Sequence, residues 1–232
     1  MSDFIFPPPA VVSIPVVGQS GRFAVRRVYC VGRNYEDHAK EMGFTGREPP
    51  FFFIKPADAI VVVNAGETGS IPYPSLTKNL HHEIELVVAI GKAGKNIPAS
   101  EALNHVYGYA VGLDMTRRDL QSDMKKQGRP WEIGKSYDHS APIGPITPLA
   151  QAGDIANADI WLQVNGQDRQ RSNVSKLIWN ISEFIEHMST AWALEPGDLV
   201  YSGTPEGVAA VVSGDTMVGS VGGLGELRVK VS

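Results

Sequence analysis

Apolar residues in this chain come in short runs rich in Val, Ile and Tyr, cut apart by 24 glycines and 16 prolines in 232 residues, and that punctuation limits the fold more than any other feature. Runs of this kind, bounded by turn formers, read as β-strands. Strand candidates are residues 83–90, 107–113, 160–164, 198–202 and 227–231. Helical patterns are fewer, over residues 34–42, 100–107, 116–127 and 181–190, the last with Ser182 near its start as a cap candidate. Strands and helices do not alternate regularly, which disfavours a Rossmann-type or βα-barrel repeat. The expected class is mixed α/β, dominated by β-structure. Residues 1–25, with Pro7-Pro8-Pro9 and Pro15, read as an extended lead-in with short strands, ahead of one domain over 26–232.

Composition excludes several function classes. With 21 Lys and Arg against 25 Asp and Glu, the net charge of -4 lacks the basic excess of a nucleic-acid binder. No apolar stretch approaches the roughly 20 residues a membrane helix needs. The start, Met1-Ser2-Asp3-Phe4, lacks the basic and apolar regions of a secretory signal, so a cytoplasmic protein is expected. The one cysteine, Cys30, cannot form an internal disulfide, and within Val28-Tyr29-Cys30-Val31 it reads as a buried strand residue.

The most informative stretch is His81-His82-Glu83-Ile84-Glu85-Leu86-Val87-Val88-Ala89-Ile90. It is too apolar after Glu85 for a solvated strand, yet it opens on two acids. Alternate strand residues share a face, which sets Glu83 and Glu85 about 6.6 Å apart at their Cα atoms, within reach of one cation. A third acid, Asp114, ends the apolar run from Tyr109 to Leu113. Three carboxylates without a nearby thiol suit a hard cation that retains water or substrate oxygens, Mg2+ or Mn2+, one per chain. The alternative is an exposed edge for Glu83 and Glu85, with Asp114 capping the helix that follows. His81 and His82 point to opposite faces of a strand, so at most one could join the carboxylates.

Other pairs have acid–base or anion-binding potential. His38 and Glu41 are neighbours on a helix at spacing three, which makes them either a general base with its orienting carboxylate or an exposed ion pair. Arg118 and Gln121 share a helix face close to Asp114 and could read carboxylate and carbonyl oxygens, whereas Arg117 points elsewhere. Lys135, in Trp131-Glu132-Ile133-Gly134-Lys135-Ser136, is a candidate for an electrostatic role or an ordinary surface lysine. The Gly203-Thr204-Pro205 turn could present a hydroxyl and backbone N–H groups to an anion.

Taken in order, these segments resemble the fumarylacetoacetate hydrolase family over about residues 26–231. The motifs are Gly-Arg-Asn-Tyr from Gly32 followed by His38 and Glu41, Lys55-Pro56, His-His-Glu-x-Glu from His81, Asp-Met-Thr-x-Arg-Asp-x-x-Gln from Asp114, Gly134-Lys135-Ser136, and Ser-Gly-Thr-Pro-x-Gly-Val from Ser202. The resemblance implies a β-roll of mixed sheets with a few short peripheral helices, commonly a homodimer, acting on a small oxo acid. It implies Glu83, Glu85 and Asp114 as metal ligands, His38 with Glu41 and Lys135 as catalytic groups, and Arg33, Arg118, Gln121 and Thr204 along the substrate pocket. The implied reaction is hydrolysis of a carbon–carbon bond in an acylpyruvate, with residues 51–58 and 128–131 most like fumarylpyruvate hydrolases of the gentisate pathway; Arg129 or Arg47 would then receive the remote carboxylate. Oxaloacetate decarboxylation or tautomerisation, and isomerisation of a heptadienedioate, are the alternatives on the same fold. Residues 43–50 have the composition of a lid or of an ordinary loop.

Overall fold

The computed structural model describes residues 4–36 and 47–232, and two mixed β-sheets organise them. In the larger sheet the strands Phe51–Lys55, Arg27–Gly32, Asp198–Tyr201, Ile84–Ile90, Val106–Leu113, Ala141–Ile143 and Ile60–Val62 lie side by side in that order, with Thr147–Pro148 pairing beside Val106–Leu113. Asp198–Tyr201 runs parallel to Arg27–Gly32 and antiparallel to Ile84–Ile90. The second sheet orders Gln167–Asn173, Asp159–Val164, Thr216–Val221, Glu226–Val231 and Gly69–Ile71.

The strand Ile84–Ile90 explains why its sequence is apolar on both parities. Ile84, Leu86, Val88 and Ile90 join Ile160, Leu162, Met217 and Val229 of the second sheet in the main core. Val87 and Ala89 face the opposite way, into a smaller cluster with Val28, Cys30 and Leu199. A strand covered on both faces has no solvent side to signal, so strict alternation disappears. Glu85 shares the parity of Val87, which aims it away from the main core. Cys30 is buried, as a strand cysteine was expected to be. Residues 13–15 and 22–24 form a short hairpin whose Ile14 is wholly buried in the smaller cluster.

Helices are short and peripheral. Ile181–Ala191 turns Phe184, Ile185 and Met188 into the main core. Its cap is Asn180 and not Ser182: the Asn180 side chain accepts from Glu183 N at 3.1 Å while Glu183 Oε2 accepts from Asn180 N at 3.0 Å, a reciprocal box that caps the helix just before Ile181 and leaves Ser182 inside it. The helix expected from Thr116 begins at Arg118, because Thr116–Arg117 pairs instead with Leu80–His81. The pattern over 100–107 becomes a 3-10 turn, Ala99–His105, feeding the strand at Val106. Most of the helix expected over 34–42 falls outside the described residues.

Candidate metal centre and oxo-acid pocket

The two central strands bring the acids together. Ile84 pairs with Leu113 and Glu85 with Gly112, and the ladder continues where Asp114 N donates to Glu83 O at 2.9 Å. Glu83, Glu85 and Asp114 therefore emerge on one side of the sheet end. One carboxylate oxygen from each lies within 4.8 Å of the others, and all three residues are buried.

Three like charges out of water are tolerable only with compensation. Lys135, 2% exposed, places Nζ 2.7 Å from Glu83 Oε2, 2.7 Å from Asp114 Oδ2 and 2.7 Å from Thr116 Oγ1. Lys55 stands 2.8 Å from the other Asp114 oxygen. Arg118 pairs with Glu83, and Gly203 N donates to Glu85 Oε2 at 2.9 Å. Three cations thus oppose three carboxylates, but Glu85 receives none of them directly. Burial, then the charges of Asp114 and Glu83, hold its carboxyl well above the usual range. Burial also works against charge on Lys135, but Asp114 and Glu83 outweigh it and raise its pKa. Such a set of oxygen donors, clustered and electrostatically strained at Glu85, fits a hard divalent cation.

Neither histidine joins this group. His81 Nε2 lies 3.0 Å from Asn79 Oδ1, and burial followed by the nearby Arg118 charge lowers its pKa to about 4. His82 is directed to Gln170, at 2.9 Å from Nδ1 to Oε1.

The triad opens into a cavity that is also lined by Arg33, Arg118, Gln121, Lys135 and Thr204, with Phe53 and Trp131 as apolar walls. Five positions singled out along more than 170 residues of sequence thus share one space. Arg118 Nη1 donates to Gln121 Oε1 at 2.5 Å, which leaves the Gln121 amide NH2 as the donor available to a ligand. Gly134 lets the short helix Glu132–Lys135 approach closely, since a Cβ there would meet Gln121 N at 2.8 Å. Arg33, at a positive φ of 55°, sets its guanidinium 5.2 Å from the Phe51 ring centre and 5.5 Å from that of Trp131. Gly203, φ 100°, has no room for a side chain, because a Cβ would fall 2.8 Å from Asn34 Cβ.

Arg117 turns away, as expected, and stacks on Tyr137 at 4.1 Å. Arg47 pairs with Glu183 and lies 4.0 Å over Trp179; neither it nor Arg129 lines the cavity. His38 and Glu41, and residues 43–46 of the 43–50 loop, lie outside the described residues. Sequence reasoning noted Lys55 only within the Lys55-Pro56 motif and gave it no role; it is wholly buried against Asp114 and also donates to Met115 O at 3.3 Å. The available signal was a lysine closing the apolar run Phe51-Phe52-Phe53-Ile54, a place where burial makes an unpaired ammonium untenable.

A β-roll carrying three buried carboxylates that could hold a divalent cation, beside a cationic pocket at the end of its central strands, has the architecture of an enzyme site. Residues 27–232 match the family described as fumarylacetoacetate (FAA) hydrolase C-terminal, and the chain belongs to the fumarylacetoacetate hydrolase family. It is similar to the fumarylpyruvate hydrolase of Pseudomonas aeruginosa, solved in complex with Mn2+ and pyruvate: 59% identity, a TM-score of 0.97, and 99% of each chain covered. A fumarylpyruvate hydrolase of Ralstonia sp is 46% identical over 184 residues, 79% of this chain and 93% of that one. The mitochondrial oxaloacetate tautomerase of Rattus norvegicus is 40% identical over 206 residues, 89% of this chain and 91% of that one.

Proposed function

We propose that this chain hydrolyses a 2,4-diketo acid, fumarylpyruvate above others, to fumarate and pyruvate. The observation that carries the proposal is the convergence of Glu83, Glu85 and Asp114 within 4.8 Å, in a cavity shared with Arg33, Arg118, Gln121 and Lys135. Glu83, Glu85 and Asp114 would hold a divalent cation, whose chemistry there is to polarise the carboxylate and 2-oxo oxygens of a bound oxo acid.

The protein groups divide the remaining tasks. Arg118 and the Gln121 NH2 orient the pyruvyl carboxylate. His38, directed by Glu41 and assigned on the sequence motif alone, takes a proton from water as its oxygen adds to the distal C4 carbonyl. The C3–C4 bond then breaks; its electron pair stays on C3 as the enolate of pyruvate, and a proton returned to C3 completes the products. Lys135 contributes fixed positive charge near that enolate. Its three N–H bonds are already engaged, so it acts through its field and not as a free donor. Arg33, braced by Phe51 and Trp131, is the cavity arginine placed to receive the fumaryl carboxylate.

The finer assignments rest on the motifs and relatives: Mg2+ or Mn2+ as the ion, one per chain; a place in gentisate-type aromatic catabolism; a cytoplasmic homodimer; and residues 26–232 as the catalytic domain behind the 1–25 lead-in. Among the described residues no helix is long and apolar enough to cross a membrane. The tautomerase relative supports a second reading, because oxaloacetate presents the same carboxylate and 2-oxo pair. Turnover of fumarylpyruvate, acetylpyruvate and oxaloacetate, each with Mg2+ and with Mn2+, separates the two. Turnover of oxaloacetate alone would overturn the hydrolase assignment.

A further inference from the structure

Gln170 belongs to the second sheet, where the strand Gln167–Asn173 is otherwise mostly exposed, yet it is 1% exposed itself. Its amide uses all of its hydrogen-bonding capacity. Oε1 accepts from Ile84 N at 3.1 Å and faces His82 Nδ1 at 2.9 Å; Nε2 donates to Thr204 Oγ1 at 2.8 Å and to Pro205 O at 2.8 Å. Two backbone groups fix the orientation, because Ile84 N–H can meet only an oxygen and Pro205 C=O only an N–H. His82 Nδ1 must therefore carry the proton of its bond to Oε1. Thr204 Oγ1, accepting from Gln170, donates its own proton to Ile84 O at 2.8 Å. The Thr204 hydroxyl consequently offers a cavity ligand a lone pair and no proton. The neighbouring Gly203 N–H is committed to Glu85 Oε2.

We propose that Gln170 is a positioning residue, clamping the Gly203-Thr204-Pro205 turn to the strand that begins at Ile84 so that Gly203 N–H stays on Glu85. This rests on the metal-site reading for its functional consequence, but not for its structural one. Gln170→Glu is the discriminating variant: it keeps the acceptor for Ile84 N and His82 and removes both donors to the turn. Gln170→Leu removes everything.

Hydrogen exchange of the metal-free protein, read by NMR, should show the Gly203 amide exchanging at least tenfold faster in both variants, while Val87 and Val111 in the same sheet keep their protection. Mn2+ should bind about tenfold more weakly to both, the effect of loosening one hydrogen bond to a carboxylate. Parental protection of Gly203 in Gln170→Glu would overturn the clamp, as would uniform loss of protection across the sheet. If neither variant folds, Thr204→Val and Thr204→Ser supply the same reading: Val should reproduce the fast Gly203 exchange and Ser should restore it, and no difference between them would overturn the proposal. Failure of the metal-site reading would appear separately, in a parent protein that binds no Mn2+.

Discussion

Replacing Lys135 with methionine keeps the length of a buried side chain and deletes a charge that contacts Glu83 and Asp114 at 2.7 Å each. Removing one partner of a buried ion pair costs about 3–5 kcal/mol, because the other partner is left uncompensated. The lower end applies here, since Lys55 still faces Asp114 and Arg118 still faces Glu83. For a chain of this size about 3 kcal/mol lowers the melting temperature by about 6–12 °C. A divalent cation among the same carboxylates supplies the missing positive charge, so Mn2+ should raise the melting temperature of Lys135→Met more than that of the parent. Thermal unfolding at pH 8, with chelator and then with Mn2+, measures both quantities. Activity should stay low even in the stabilised variant, by about 10²–10³ in kcat, because the charge facing the developing enolate is gone. A metal-free variant that melts within about 2 °C of the parent would refute the account of the cluster, as would a smaller Mn2+ shift than the parent shows.

Four other outcomes are expected. His38→Ala should keep Mn2+ affinity and lose about 10²–10⁴ in turnover; unchanged turnover would remove His38 from the reaction. Arg33→Met should lower kcat/KM for fumarylpyruvate by at least tenfold while sparing acetylpyruvate, which lacks the distal carboxylate, and equal losses on both substrates would point to a collapsed wall instead. Asp119 is pushed upward by burial, but hydrogen bonds from Thr77, at 2.5 Å, and Lys78 N, at 3.0 Å, outweigh this and leave its pKa lowered. A depressed carboxylate contributes stability above its unfolded pKa, about 3.9, that is lost as pH falls through the folded value; melting temperatures from pH 5 down to pH 2.5 should therefore fall less steeply in Asp119→Asn, and parallel curves would contradict this. Burial, and then the Asp114 charge, push the Cys30 thiol well above its ordinary pKa. It should resist a thiol-disulfide reagent at pH 8 until denaturant is added, and fast reaction of the native protein would show that the strand is open.

The chain's own pattern determined the β-dominated class and five of the strands, those at Ile84–Ile90, Val106–Leu113, Asp159–Val164, Asp198–Tyr201 and Glu226–Val231, because turn formers and β-branched runs act locally. Strands such as Phe51–Lys55, Gln167–Asn173 and Thr216–Val221 were not picked out. It also determined that Glu83, Glu85 and Asp114 are chemically mismatched to their apolar strands, and the ordered motifs supplied Arg33, Arg118, Gln121, Lys135 and Thr204. What it did not contain was partnership. The 3-10 turn at Ala99–His105 and the late helix start at Arg118 depend on strands packed beside them, and the cap at Asn180 depends on which of two good capping residues reaches the reciprocal Glu183. Lys55 and Gln170 are the clearest cases. A lysine in an aromatic strand and a glutamine in a polar hairpin carry no local sign that one meets Asp114 and the other ties two sheets together. Those contacts join residues separated by 34 positions or more in the chain, and a charge or an amide declares its function only when folding removes the water that would otherwise satisfy it.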